Sequence, residues 1–270
     1  KCDVCHGDVV QLPKDVWYLR ITKYADKLLE GLKTVEYPEN IAQQQVNWIG
    51  KSTGAFVDFV INGADEKLTI YTTRPDTLFG VTFMVMAPEH PMIDKYAANI
   101  ANMDAILAYR EECAKKTEFE RTQLVKDKTG VCIDGLTAIN PVSGKEIPIY
   151  ISDYVMMGYG TGAIMAVPAH DERDYAFAKK FGIDIVEVIK GGNIEEASYD
   201  AKSGKMINSD FLSGMDVTEA IPLMFEEVER RGLGKKLINY RLRDAIFSRQ
   251  RYWGEPFPIY YKDDVAYPLE

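Results

Sequence analysis

The spacing of apolar residues changes twice along the chain. Over residues 14–34, Leu19, Tyr24, Leu28 and Leu32 recur at helical intervals, which predicts a helix weakened near its end by Gly31. Pro38 stops it, and a second short helix is expected over 38–48, carrying Gln43, Gln44 and Gln45. From Gly54 the period becomes that of a strand. Residues 55–61, a break at Asn62-Gly63, then 68–73 read as a β-hairpin. Further strands are expected at 81–86, 128–133, 147–151, 162–167 and 185–189. Helices are expected at 91–114, 171–181 and 218–231, a turn at 140–144, and a loop or small hairpin over 190–210. Strands and helices alternate with neither dominating. The fold class expected is mixed α/β (α+β), with a barrel-like core from about 49 to 240. Residues 11–48 then form a helical flank, and 241–270 a returning strand with a different, aromatic texture.

Composition narrows the classes. The chain is 46% hydrophobic and 27% charged, as expected of a globular protein. No apolar run approaches the roughly 18 residues of a membrane helix, and no signal segment opens the chain, so no membrane partner is expected. The sequence runs from Lys1 to Glu270 and reads as a piece of a longer protein. A net charge of −9 argues against wholesale binding of long nucleic acid but leaves room for one short nucleic-acid end in a local pocket. Four cysteines without a disulfide framework point to a reducing, cytoplasmic setting. Cys2 and Cys5 form a C-x-x-C pair within 1–10. They are candidate zinc ligands, half of the tetrahedral set a structural zinc site requires.

Two polar clusters are candidates for chemistry. In Thr72-Thr73-Arg74-Pro75-Asp76-Thr77, Pro75 turns the chain out of its strand, and Asp76 or Thr77 can cap the next element. The same hydroxyls suit a sugar or an ester. In residues 158–178, three glycines at 158, 160 and 162 permit close backbone approach to a ligand, and the apolar run through Val167 leads into His170, Asp171, Arg173 and Asp174. Carboxylates at that position cap a helix and complement its dipole, or grip a ligand cation such as an α-ammonium group. A third stretch, 241–261, mixes Arg241, Arg243, Arg249 and Arg251 with aromatics, as an interface or a contact to a nucleic-acid backbone would. There is no P-loop, and three histidines without ligand spacing give weak support to a catalytic metal.

Five stretches in order carry a family resemblance: WYLRITKYADKLLEGL, NWIGKSTGAFVDF, TTRPDTLFGVTF, YGTGAIMAVPAHDERDYAFA and INYRLRDAIFSRQRYWGEPFPI. Together the chain resembles bacterial leucyl-tRNA synthetases over nearly its whole length. The resemblance implies that 49–240 is the inserted editing domain of a class I synthetase (connective peptide 1). It also implies that the flanks are pieces of the catalytic and zinc modules, with 1–10 a partial zinc ribbon. It implies hydrolysis of the ester of tRNA(Leu) mischarged with norvaline, isoleucine or methionine, with leucine excluded. Thr72, Thr73 and Asp174 would be catalytic, the threonines at the ester and terminal ribose and Asp174 at the α-ammonium. Thr77 would exclude leucine, Met165 and Val167 would line the side-chain pocket, and Arg74, Tyr159, His170, Asp171 and Arg173 would contact the tRNA 3′ end. Editing needs no cofactor on this reading; ATP belongs to ligation by the parent enzyme, whose HIGH and KMSKS signatures do not occur here. Partners implied are the mischarged tRNA(Leu) end and the rest of the synthetase chain. The alternatives are a metal hydrolase using His170, Asp171 and Asp174, a non-catalytic tRNA-docking module, and the editing domain of a valyl or isoleucyl sibling.

Overall fold

A computed structural model describes residues 2–7, 15–117, 120–121, 128–157, 160–200, 202–246, 259–263 and 265–268. The chain divides into two units, one of 1–52 with 239–270, the other Thr53–Ile238.

In the first unit, β1 (Tyr18–Leu19) pairs antiparallel with Ala245–Ile246. This corrects the helix expected over 14–34. A partner more than two hundred positions away overrides the local periodicity at 18–19, and the helix α1 occupies only Ala25–Gly31, between short 3-10 turns. Asp244 holds that corner by accepting from both the backbone N–H and the hydroxyl of Thr22 (3.1 and 2.8 Å). Helix α2 (Glu39–Ile49) follows Pro38 as expected. Cys2 and Cys5 share one tight turn, in which the backbone N–H of Cys2 donates to Gly7 and that of His6 to Cys2.

The second unit is built on β2 (Lys51–Asn62), β3 (Lys67–Thr72), β4 (Phe83–Met86), β5 (Val131–Ile139), β6 (Glu146–Ile151) and β7 (Ala163–Ala166). Along β2, Val57, Phe59 and Ile61 are buried while Phe56, Asp58 and Val60 face outward, the alternation of a one-sided strand. β4 is buried on both faces. Met84 and Met86 join the main core, and Phe83 and Val85 join a second cluster with Tyr150 and Phe177, which explains its unbroken apolar run. A strand Gly234–Tyr240, beside β2, completes a seven-stranded mixed sheet.

The pairings fix the direction of each strand. β2 runs antiparallel to β3 and β5, β5 to β6, and β4 to β7, while β4 and β6 are parallel. β3 and β7 therefore point the same way, and they contact one another although β3 branches from the sheet at β2 and β7 ends its path. The sheet curls into the expected barrel-like form, and the C-terminal ends of β3 and β7 meet at one rim.

The helix expected over 91–114 is broken into α3 (Pro91–Lys95), a 3-10 turn and α4 (Met103–Ala114). Asn102 is spent on β5, donating to the Cys132 carbonyl and accepting from the Asp134 N–H. Nearby, Gly135 sits at φ +106°, and a Cβ there would stand 2.1 Å from the Asn99 carbonyl oxygen. Helix α5 (Glu172–Phe181) packs Phe177 and Ala178 into the second cluster. The strand expected at 185–189 shrinks to β8 (Ile189–Lys190), paired with β9 (Lys205–Met206), so 190–210 is the small hairpin anticipated. Helix α6 (Val217–Arg230) buries Val217, Ala220, Met224, Phe225 and Val228 and packs against residues 75–80.

Candidate functional site at the β3–β7 rim

Beyond Thr72 the chain leaves β3 and tightens into a 3-10 turn, Pro75–Gly80. Pro75 supplies no N–H and fixes φ, so the ladder ends there. The capping expected of Asp76 is not what the structure shows. Asp76 is fully buried and accepts a forked pair from Arg74, Nε to Oδ1 at 3.0 Å and a terminal nitrogen to Oδ2 at 2.8 Å. A buried carboxylate needs such a partner, and a bidentate guanidinium is the strongest available. Thr72 accepts the N–H of Arg74 at 3.0 Å, which leaves its hydroxyl proton free to donate. Thr77, 3% exposed, donates to the Arg74 carbonyl at 2.9 Å, so its rotamer is set by the turn. Thr73 is exposed.

Three supports hold this turn, and none stands out in the sequence. Asn140, fully buried, donates to the Leu78 carbonyl (2.9 Å) and accepts from the N–H groups of Val142 and Ser143. The face of α6 packs behind it. Gly80 allows residues 186–188 to approach; a Cβ there would lie 3.1–3.2 Å from Val188 and the Val186 carbonyl. The Asn-Pro at 140–141 is legible in the sequence only as a turn signal.

On the other side of the rim, β7 passes through partly buried Met165 and buried Val167 into Pro168 and His170. His170 is 6% exposed. Its Nε2 accepts from the N–H groups of both Val188 (3.0 Å) and Ile189 (3.1 Å), so Nδ1 carries the proton and donates to the Tyr199 carbonyl at 2.8 Å. Burial pushes its pKa down and the Arg74 charge adds to this, against the Tyr199 hydrogen bond, which pushes it up. Both ring nitrogens are thus engaged with main chain.

Asp171 caps α5, accepting from the N–H groups of Arg173 and Asp174. Burial works to raise its pKa, but the Arg173 hydrogen bond and charge and these N–H groups together hold it below the usual range. The Arg173–Asp171 ion pair spans 3.1 Å at the surface. Asp174, 4% exposed, points inward from the first turn of α5. Its Oδ2 accepts from the Val167 N–H (2.9 Å) and its Oδ1 from the Tyr154 hydroxyl (3.4 Å). Burial, reinforced by Asp171, raises its pKa to about 7. Tyr159 lies outside the described residues.

The structure therefore brings the two sequence clusters to one rim: hydroxyls and a pinned arginine on one side, an apolar wall and a buried carboxylate on the other. Among the described residues, no group of three or more His, Cys, Asp and Glu side chains is placed to hold a metal. Cys2 and Cys5 offer two thiols on one turn. The Cys2 thiol is drawn below its ordinary pKa, first by the backbone N–H of Cys5, which suits a metal thiolate but leaves the tetrahedral set half filled. No helix among the described residues is long and apolar enough to cross a membrane.

Residues 46–229 match the family model described as leucyl-tRNA synthetase, editing domain. The chain is 59% identical over 263 residues to a leucine–tRNA ligase of Alkaliphilus oremlandii, covering 97% of this chain and 33% of that one. It is also similar to a LeuRS of Agrobacterium radiobacter K84 solved in a ternary complex with tRNA and LeuAMS. There the TM-score is 0.71 at 33% identity, over 94% of this chain and 29% of that one. The chain spans about a third of the length of the relatives it matches.

Proposed function

This chain belongs to the leucyl-tRNA synthetase editing-domain family, and from that premise we propose that its β3–β7 rim hydrolyses the ester of tRNA(Leu) carrying a wrong amino acid. Norvaline, isoleucine and methionine are the substrates expected, and leucine is refused. One observation carries the reading. A threonine-lined turn beyond β3 converges at a single rim with the end of β7, where apolar Met165 and Val167 lead to the buried carboxylate of Asp174.

The chemistry asked of this site is modest. An aminoacyl ester is already activated, so orienting a water and stabilising the developing oxyanion suffice. Asp174 takes the α-ammonium and thereby fixes the ester. Thr72 and Thr73 hold the ester and terminal ribose and place the water. Arg74, kept rigid by Asp76, faces the phosphate or adenosine of the tRNA end with the part of its guanidinium that Asp76 leaves free. Arg173, Asp171 and Tyr159 contribute to docking that end. His170, spent on main chain, acts as a positioning residue that ties 188–189 and 199 to the start of α5. Thr77 is the sieve. Binding separates aliphatic side chains differing by one methylene by only about 1–3 kcal/mol, so a second site that excludes the correct amino acid multiplies the discrimination. No cofactor is needed for this hydrolysis. Ligation of leucine with ATP, zinc at Cys2 and Cys5, and a cytoplasmic setting are assigned to the longer protein on the same basis.

The test is single-turnover deacylation of isoleucyl-tRNA(Leu) and leucyl-tRNA(Leu), with Asp174→Ala alongside. Cleavage of the isoleucyl ester alone, lost in the variant, supports the assignment. Cleavage indifferent to Asp174 overturns it, and no cleavage by either protein at saturating tRNA would leave only a docking role.

A further inference from the structure

Tyr154 belongs to neither sequence cluster, and the hydrolysis proposed for the rim does not call on it. It sits in the turn beyond β6, and its backbone is fixed on both sides. Arg121, itself buried and ion-paired to Glu89 at 2.7 Å, donates to the carbonyls of Asp153 (2.8 Å) and Val155 (3.1 Å). The Asp153 N–H donates to the Tyr109 hydroxyl at 3.1 Å, and the Asp153 carboxylate pairs with Lys116 at 2.9 Å. The ring of Tyr154 packs edge-on against Phe177 (centroids 6.1 Å), three residues beyond Asp174 on α5. Its hydroxyl then reaches Asp174 Oδ1.

We propose that Tyr154 is a positioning residue of the editing site, whose hydroxyl, together with the Val167 N–H, holds the Asp174 carboxylate aimed and ionised for the substrate's α-ammonium. This rests on the proposed role of Asp174 as the ammonium's partner. A carboxylate taken out of water resists ionisation unless donors replace the lost hydration. Asp174 has two such donors, one on each oxygen. Burial, helped by the Asp174 charge, lifts the Tyr154 phenol well above its ordinary pKa, so it remains a protonated donor. At 3.4 Å the contact is at the long end of the hydrogen-bond range. Among the described residues, the other charged groups around the pair are Asp171 and Arg173 on α5 itself and Lys128, 5.3 Å above the Tyr154 ring, and from the end of β7 the Val167 N–H reaches Asp174.

The test is a carbon-13 titration of the side-chain carboxyls of the purified chain, with the Asp174 signal assigned by its loss in Asp174→Asn. Tyr154→Phe keeps the ring and its Phe177 contact and removes only the hydroxyl. Its Asp174 midpoint is expected to rise by about half to one pH unit. Deacylation of isoleucyl-tRNA(Leu), corrected for uncatalysed hydrolysis, should then fall by about three- to tenfold at pH 6.5 and recover towards wild type at pH 8.5. A role confined to packing would lower the rate equally at every pH and leave the midpoint in place, and that result overturns the proposal. Asp174→Asn inactive beside an unshifted Tyr154→Phe removes Tyr154 alone. Asp174→Asn fully active removes the functional reading, and the purpose of Tyr154 with it.

Discussion

At Thr77 the proposed function depends on a few atoms. The hydroxyl is committed to the Arg74 carbonyl, so the side chain cannot rotate away from whatever enters beside it. Thr77→Ala removes both that bond and the bulk. The expected result is that leucyl-tRNA(Leu), spared by the wild type, is hydrolysed at least about tenfold faster, the scale one hydrocarbon group sets in a tight pocket. Continued protection of leucyl-tRNA in the variant would remove Thr77 as the sieve. Asp174 allows a prediction independent of tRNA. Its pKa rises from the ordinary 3.8 to about 7 in the folded chain. A group whose folded value is raised favours the fold at acid pH, and this contribution is lost as pH climbs through the folded value. Asp174→Asn cannot ionise and escapes the loss. Its stability relative to wild type should therefore improve by about 2.6 kcal/mol between pH 5 and pH 8, since the loss runs at about 1.4 kcal/mol per pH unit from pH 5 and levels off once the folded carboxyl ionises near pH 7. Urea unfolding at the two pH values measures the gap, and a gap independent of pH would mean that Asp174 is solvated or permanently neutral. Both residues were legible in the sequence as polar types at a strand end and a helix start. Tyr154 and Asn140 were not, because their role is defined only by the carboxylate and carbonyls that folding brings to them.

Among elements, the sequence was most informative where period and punctuation agree. The hairpin of β2 and β3, helix α2 after Pro38, and α5 between Asp171 and Gly182 stand close to their expected positions. It misled where a distant partner takes over. Tyr18-Leu19 leaves the helical pattern to pair with Ala245-Ile246, and Asn102 interrupts 91–114 because both ends of its amide are bound to β5. His170 shows the same rule at the site. From sequence it is a polar residue beside two carboxylates and invites a ligand role. In the fold it staples 188–189 and Tyr199 to the start of α5 through three main-chain bonds. Removing it strands two buried N–H groups and a carbonyl, at about 1–3 kcal/mol for a buried group left unsatisfied. His170→Ala should therefore speed amide exchange at Val188 and Ile189 far more than at β2 or β6, with any loss of editing arising from that loosening. Uniform exchange across the second unit would show instead that His170 supports the whole fold.

The whole molecule divides unevenly. Thr53–Ile238 holds nearly all the large buried side chains, whereas in the remainder Trp17, Tyr18, Tyr24, Tyr37 and Trp48 are exposed and only Ala25 and Ile49 are buried apolar residues among those described. The boundary shows in the sequence as a change of texture near Gly54 and again near Arg241, because the alternating strands that build the barrel-like sheet lie between them. The rim itself was not legible: that β3 and β7 run in the same direction is a consequence of five strand pairings, which periodicity does not encode. The uneven core has a measurable consequence. All three tryptophans, Trp17, Trp48 and Trp253, fall outside 53–238, so tryptophan fluorescence reports on the smaller unit alone, while far-ultraviolet circular dichroism is dominated by the larger one. The described residues of the smaller unit bury little apolar surface to set against its chain entropy. Fluorescence should therefore change at lower urea than circular dichroism, and residues 53–238 expressed alone should reproduce the later transition with its midpoint unchanged. Coincident transitions would show one cooperative molecule, in which the barrel-like unit depends on its flanks for stability.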